Sequence, residues 1–373
     1  MGDAMNLITA FRYVLKMKPT LTNLFWNITY RCNLRCKYCF YWNPECASST
    51  MQKILDYGPE LSLNEVRQYL VPKLIKSSVR YVIITGGEPF IRSDIFHVMR
   101  ILRDNGMKVI VYTNATLIDT YSKARNITAL CEGMQISLDG PEDINDEVRG
   151  EGSFNKVIKA LFLIQRAMDE LGVKINIVIN CVIHRYNYMR LAELIRALVK
   201  ALGSYNISIS YQFLEWKTPE MARDLEGKTW AIPICEELRR TNPEILWRQC
   251  KKVIKLGKEY GIRVSFHPLS WPFTLEDVKA WYYDSSYRAS NHCLFIWDSV
   301  VMDPYGNIYP CRYFYTTQFN IKHTDLESAF HSKIFNKWRL TIRQRPLPPC
   351  TKCCMLKKRS YDRFLNIVTK TIK

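Results

Sequence analysis

Cys32-Asn33-Leu34-Arg35-Cys36-Lys37-Tyr38-Cys39 decides how this chain is read. It follows an apolar, aromatic run over residues 24–30 that has the composition of a strand. Three cysteines stand there at C-x3-C-x2-C spacing. Thiolates this close together suit iron–sulfur clusters and zinc above other metals. Structural zinc takes four closed ligands, usually as two C-x2-C pairs. Three thiolates instead fill three corners of a cubane [4Fe–4S] cluster and leave one iron without a protein ligand. That iron can take a small chelating molecule.

Outward from this loop, apolar runs at 25–30, 79–85, 109–113, 134–138, 174–182 and 207–213 predict strands. Helical periodicity lies between them, for example over 63–77, 95–105, 155–169 and 189–202. Six βα units in succession imply a parallel sheet with crossover helices. Crossovers of one hand curl such a sheet toward a barrel. The expected fold is therefore α/β, a partial (βα)6 TIM-like barrel open on one side. Polar residues cluster at the strand exits: the cysteine loop, Thr85-Gly86-Gly87-Glu88-Pro89, Thr113-Asn114, Ser137-Leu138-Asp139-Gly140, Asn180, and Gln212 with Glu215. Chemistry in such barrels collects at that rim, and one shared ligand accounts for the set.

The cysteine loop and Gly86-Gly87-Glu88-Pro89 together resemble the signature loop and GGE motif of the radical S-adenosylmethionine (radical SAM) superfamily. The resemblance implies that Cys32, Cys36 and Cys39 hold a [4Fe–4S] cluster whose free iron takes the amino and carboxylate groups of S-adenosylmethionine. Reductive cleavage then yields a 5′-deoxyadenosyl radical, which abstracts hydrogen from a substrate. Gly86 and Gly87 would admit the methionyl end, and Glu88 would accept from its ammonium. Ser137 and Asp139, with Asn114, would reach the ribose hydroxyls, and Arg149 would meet the carboxylate. Tyr38, Phe40 and Tyr41 would shield the cluster and stack on adenine. Without the resemblance, the glycines and Pro89 are turn residues. Asp139 and Ser153 then read as N-caps, and the aromatics as core.

A second constellation follows the C-x12-G-x4-C pattern through Cys293, Gly306 and Cys311, then Cys350-Thr351-Lys352-Cys353-Cys354. Residues 299–302 and 308–309 read as a β-hairpin around Asp303-Pro304-Tyr305-Gly306-Asn307. The hairpin brings Cys293 and Cys311 to one point, where Cys350 and Cys353 complete four thiolates. This pattern resembles the SPASM/Twitch extension of radical SAM enzymes. No cysteine follows Cys354, so the count supports one auxiliary [4Fe–4S] cluster and the shorter Twitch form. C-x2-C spacing favours Cys353 over Cys354 as the fourth ligand, with a zinc ribbon as the alternative. Such a cluster has no open iron and would move electrons or shape the pocket.

The expected organisation is an N-terminal helix (1–22), a core barrel (23–215), a helical linker or substrate region (216–290), an auxiliary-cluster domain (291–355) and a basic tail (356–373). Leu7, Ile8, Phe11, Val14 and Leu15 share a helical stripe suited to docking over a barrel end. The tail puts Tyr361, Leu365, Val368 and Ile372 on another. Residues 244–260 have helical periodicity and 263–266 strand character. Trp271, Trp281, Tyr282 and Tyr283 either line a pocket or pack. No leader-peptide-binding domain is expected from the short N-terminal stretch.

The chain of 373 residues has no apolar run long enough to span a bilayer and no signal-peptide pattern. Its cysteines cluster, as in metal sites of reducing compartments, which implies a cytoplasmic, oxygen-averse protein. Cys46, Cys131, Cys181, Cys235 and Cys250 are scattered and read as core or surface thiols. Net charge is +18, with twelve Lys or Arg against Asp362 alone over 333–373. That field favours acidic peptides or lipid headgroups; nucleic acid is not expected. The resemblance implies a ferredoxin- or flavodoxin-type reductant and a peptide, protein or cofactor-precursor substrate. The alternatives are an anionic lipid or tetrapyrrole substrate, or a non-catalytic iron–sulfur protein that binds nucleic acid or carries electrons.

Overall fold

A computed structural model describes residues 9–10, 12–15, 17–44, 46, 58–203, 206–218, 220–221, 237–315, 318–344 and 346–356. The tail stripe, Cys235 and residues 7, 8 and 11 of the N-terminal stripe lie outside the described residues.

Strands β1 (Asn23–Thr29), β2 (Tyr81–Gly86), β3 (Lys108–Thr113), β4 (Gly133–Ser137), β5 (Asn176–Ile183) and β6 (Ile207–Phe213) pair in chain order, all parallel. These are the six apolar runs. Alternate residues on them, such as Trp26, Ile28, Val82, Ile84, Val109, Val111, Ile177 and Ile179, are buried in the layer shared with the helices. Parallel neighbours need a crossover, and the helices supply it with one apolar face each. Helix Ile95–Asp104 buries Ile95, Val98, Met99 and Leu102; helix Leu191–Leu202 buries Leu191, Leu194, Ile195 and Leu198. Both follow the i, i+3, i+4, i+7 spacing of a single stripe.

The sheet has nine strands, in the order β7-β6-β5-β4-β3-β2-β1-β8-β9. The six-strand core is therefore extended at both edges. β7 (Arg263–His267) adds parallel to β6 after helix Pro243–Glu259, so residues 216–290 extend the barrel as well as link it. At the other edge, β8 (Ser299–Met302) pairs parallel with β1, and β9 (Ile308–Tyr309) folds back antiparallel. The hairpin forms as expected, but its first strand belongs to the main sheet. An uncovered β1 would leave a row of unpaired backbone groups, and β8 covers it.

Trp281 and Tyr282 are fully buried packing residues. Trp281 Nε1 donates to Leu214 O at 2.9 Å and Tyr282 OH to Ile183 O at 3.0 Å. Trp271 and Tyr283 are exposed. Ala10, Tyr13 and Val14 pack with Phe295, Trp297 and Trp338, so the described N-terminal residues dock on the C-terminal extension. Of the two readings left open for the scattered cysteines, Cys46, Cys131, Cys181 and Cys250 take the buried one. Among the described residues, no helix is long and apolar enough to cross a membrane.

At the rim, Gly86 has φ +123°, and a Cβ there would stand 2.2 Å from the Thr29 carbonyl oxygen. A Cβ on Gly87 would stand 2.2 Å from the Arg31 carbonyl oxygen. Gly87 N–H donates to Thr29 O and Glu88 N–H to Arg31 O, both at 2.8 Å. The two glycines thus seat the exit of β2 against the start of the cysteine loop. Gly87→Ala is expected to lower stability by about 1–3 kcal/mol through overpacking, seen as a lower urea midpoint at unchanged slope. A wild-type midpoint would show that the backbone yields there without cost.

Candidate functional site

Cys32, Cys36 and Cys39 are half-buried on the loop leaving β1. The loop is pinned from outside, with Lys37 N–H donating to Val148 O at 2.9 Å, and coiled on itself, with Cys39 N–H donating to Cys36 O at 3.1 Å. Polar groups aim at the sulfurs. Leu34 N–H lies 3.4 Å and Asn114 Nδ2 3.8 Å from Cys32 Sγ; Arg149 Nη1 lies 3.9 Å from Cys36 Sγ. Burial pushes all three thiol pKa values up, Cys39 to about 12, and Cys32 acts on the other two. Iron binding must therefore displace protons. Among the described residues, no three His, Cys, Asp or Glu side chains converge on a single metal ion. Three neighbouring thiols with amide and guanidinium donors directed at them fit an iron–sulfur cluster.

Behind Cys36 lies a buried polar network. Arg149 Nε stands 2.7 Å from Asp139 Oδ2, an ion pair set off the hydrogen-bonding direction, with side chains 7% and 0% exposed. Tyr38 OH donates to Asp139 Oδ2 at 2.8 Å and receives a hydrogen bond from Arg149 Nη2. Asp139 Oδ1 accepts from Val182 N–H at 2.9 Å. The loop, β4, β5 and helix Glu142–Arg149 are thus joined through one carboxylate. His184 was missed by sequence reasoning. It lies buried beside Tyr38, ring centroids 5.2 Å apart, with its pKa lowered to about 4 by burial. Nothing in the linear pattern marks it.

Glu88, the residue expected to meet the ammonium, sits just past the exit of β2. It is wholly buried and accepts from Thr113 Oγ1 at 2.8 Å, Asn114 N–H at 2.7 Å and Phe90 N–H at 3.1 Å. A buried carboxylate needs such donors, and here they tie β2 to β3. Asn114 is similarly engaged: Oδ1 accepts from Thr116, and Nδ2 donates to Asn33 Oδ1 at 3.0 Å. These contacts brace the cysteine loop. Gly86 and Gly87 give their space to the chain's own carbonyls. Ser137 remains half-buried at the end of β4, in register with Asn180, whose Nδ2 lies 3.4 Å from Gln212 Oε1.

The C-terminal cysteines also gather. Cys293, Cys311, Cys350 and Cys353 all have thiols raised by burial, with Cys311 acting on the other three. Cys354 turns elsewhere. Its Sγ accepts from Arg312 Nη1 at 3.1 Å and its N–H donates to Glu215 Oε1 at 2.6 Å. Glu215, expected at the rim with Gln212, belongs to this second site; it also pairs with Arg312 at 3.7 Å. Arg312 and Lys217 were missed by sequence reasoning. Lys217 is fully buried with no hydrogen-bond partner for Nζ among the described residues. An orphaned ammonium beside thiols fits an anionic group such as an iron–sulfur cluster held by four thiolates.

Residues 26–198 match the radical SAM superfamily, and residues 293–354 match SPASM, an iron–sulfur cluster-binding domain. This is a radical SAM protein with a C-terminal SPASM domain. Over 156 residues it is 36% identical to mycofactocin maturase MftC of Mycobacterium ulcerans, covering 42% of this chain and 38% of that one. Over 153 residues it is 29% identical to Fe-coproporphyrin III synthase of Methanosarcina barkeri, covering 41% and 36%. The chain thus spans less than two-fifths of the length of these curated relatives. The crystal structure of Streptococcus suis SuiB bound to precursor peptide SuiA shares the fold at TM-score 0.60 and 16% identity, covering 98% of this chain and 77% of that one. The radical SAM domain implies a [4Fe–4S] cluster with S-adenosylmethionine, and the SPASM domain implies auxiliary cluster chemistry.

Two tests follow from this radical SAM site. Asp139→Asn leaves the Arg149 guanidinium buried without its counter-charge. It is expected to cost about 3–5 kcal/mol in chemical denaturation; a loss under about 1 kcal/mol would mean that Tyr38 and Cys36 suffice. Burial raises the Glu88 pKa from its ordinary 4.5 to about 7, against three hydrogen bonds that lower it. A folded-state value above the unfolded one gives stability that is full below about 4.5 and lost as pH rises through about 7. Glu88→Gln should therefore flatten the stability–pH curve across that window. An unchanged slope would place the proton elsewhere.

Proposed function

We propose that this protein reductively cleaves S-adenosylmethionine at a cluster held by Cys32, Cys36 and Cys39 and takes hydrogen from a peptide or a cofactor precursor. The observation that carries this is one half-buried loop of three thiols with Asn114 and Arg149 directed at two of the sulfurs. The cluster with S-adenosylmethionine would supply a 5′-deoxyadenosyl radical.

The chain's own residues divide the remaining work. Gly86, Gly87, Glu88 and Asn114 hold the loop in place. Arg149, already paired with Asp139, would offer its guanidinium to the ligand carboxylate, with Tyr38 beside it. Ser137 and Asp139 would serve the ribose. Cys293, Cys311, Cys350 and Cys353 would hold one auxiliary [4Fe–4S] cluster. An electron would come from a ferredoxin- or flavodoxin-type donor in the cytoplasm, a compartment that accords with the free thiols.

The substrate side favours neutral, hydrogen-bonding chemistry. Asn180 and Gln212 meet across β5 and β6, and Ser210 Oγ lies 3.0 Å from His267 Nδ1. Such a wall suits peptide amides better than a lipid headgroup. The maturase and synthase names of the relatives, and the precursor peptide in the SuiB structure, support a peptide or a cofactor precursor.

Anaerobic reconstitution, then dithionite and S-adenosylmethionine, should yield 5′-deoxyadenosine by chromatography. Cys36→Ala should reduce it to background while about half of the bound iron remains. A fully loaded wild-type protein that forms none, even with candidate peptides, is a passive iron–sulfur carrier.

A further inference from the structure

β6 leads out of the sheet into Glu215-Trp216-Lys217, and this tripeptide docks on the C-terminal cysteine loop. Glu215 Oε1 caps the Cys354 N–H at 2.6 Å. Trp216 Nε1 donates to Trp281 O at 3.0 Å, and its ring faces Lys352 Nζ at 5.2 Å. Lys217 sends its side chain to the same place. Its Nζ stands 5.3 Å from the centre of the Tyr313 ring, and the Tyr313 N–H itself donates to Cys311 Sγ at 3.3 Å.

Two lysines are buried here, and they differ. Lys352 Nζ donates to the carbonyls of Ala280, Asp284 and Tyr287 at 3.2, 2.6 and 3.1 Å. Lys217 Nζ has no hydrogen-bond partner among the described residues. The carboxylate that acts on it among the described residues, Glu215, is already engaged by Arg312 and Cys354. What surrounds Lys217 besides is sulfur, since Cys350, Cys353 and Cys354 all act on its charge and Cys311 feels it in return. A cation–π contact offsets only part of the desolvation of a buried ammonium. A methionine would fill the same volume without that penalty. Burial lowers the Lys217 pKa, so an ammonium held there calls for nearby negative charge.

We propose that Lys217 is the fixed counter-charge of the auxiliary cluster and sets its reduction potential. The proposal rests on the reading that Cys293, Cys311, Cys350 and Cys353 hold a [4Fe–4S] group. Four thiolates on a [4Fe–4S]2+ core carry a net charge of 2−. One electron from an external donor takes it to 3−, with no bond made or broken. A buried cation stabilises the more negative state more strongly. Lys217 therefore raises the potential and makes the cluster an easier electron acceptor. It acts through the cluster, as a positioning residue for charge.

The test uses the full chain carrying Cys32→Ala, Cys36→Ala and Cys39→Ala, so that only the auxiliary cluster responds. Redox titration followed by electron paramagnetic resonance compares Lys217 with Lys217→Met, Lys217→Gln and Lys217→Arg. The Met and Gln variants are expected to shift the one-electron reduction equilibrium at least tenfold toward the oxidised form, about 59 mV. The Arg variant should stay within about threefold of the parent. A Met or Gln variant that keeps its iron and its potential overturns the proposal. If Met and Gln lose iron while Arg keeps it, the charge requirement stands. If all three lose iron, Lys217 is a packing residue and the proposal falls. A parent that takes up no iron removes the four-cysteine reading itself, a distinct failure.

Discussion

Two glycines without Cβ atoms, pressed against the carbonyls of Thr29 and Arg31, hold the site together. No other residue type fits between β1 and β2 at that point, because the Cβ would fall 2.2 Å from an oxygen. The contact brings the exits of two neighbouring strands to one level. From it the cysteine loop takes its direction, and from it Glu88 is driven inward onto Thr113 and Asn114. Asn114 then reaches back to Cys32. Three strand ends and one sulfur are tied by a chain of short contacts, each dependent on the one before.

The two cysteine sites share the same sheet. β8 begins just after Cys293 and pairs with β1, which ends just before Cys32. β6 leads into Glu215 and Lys217, which both act on the C-terminal cysteines. Arg312 acts on Cys353 and Cys354 and also on Tyr41, two residues beyond Cys39. The extension is therefore built onto β1 and onto the segment that leaves β6. Its ligands are held relative to the first site by backbone hydrogen bonds, which are stiffer than a linker.

Much of this architecture is legible in the sequence, for a local reason. Parallel strands buried on both faces read as continuous apolar runs, so β1 to β6 stand out, and their crossovers show a 3.6-residue stripe. Both cysteine constellations stand out because ligand spacing is a short-range property. The places of the outer strands in the sheet do not, although 263–266, 299–302 and 308–309 have strand character. β7 is short and preceded by unreadable chain, and the pairing of β8 with β1 joins residues far apart in sequence. Side-chain destinations are hidden too. Glu88 and Asn114 sit at the expected rim yet spend their hydrogen bonds inside it. Lys217 has no signal at all, since exposed and buried lysines look alike in one dimension.

The sequence by itself determined the two thiol sets, the α/β class and the rim where polar residues collect. These follow from spacing and hydrophobic period alone. Only the tertiary structure decided which polar groups face a ligand, which brace the loop, and which charge lies beside the second set of sulfurs. Those outcomes depend on desolvation and on contacts between distant segments, and neither is written in the order of residues.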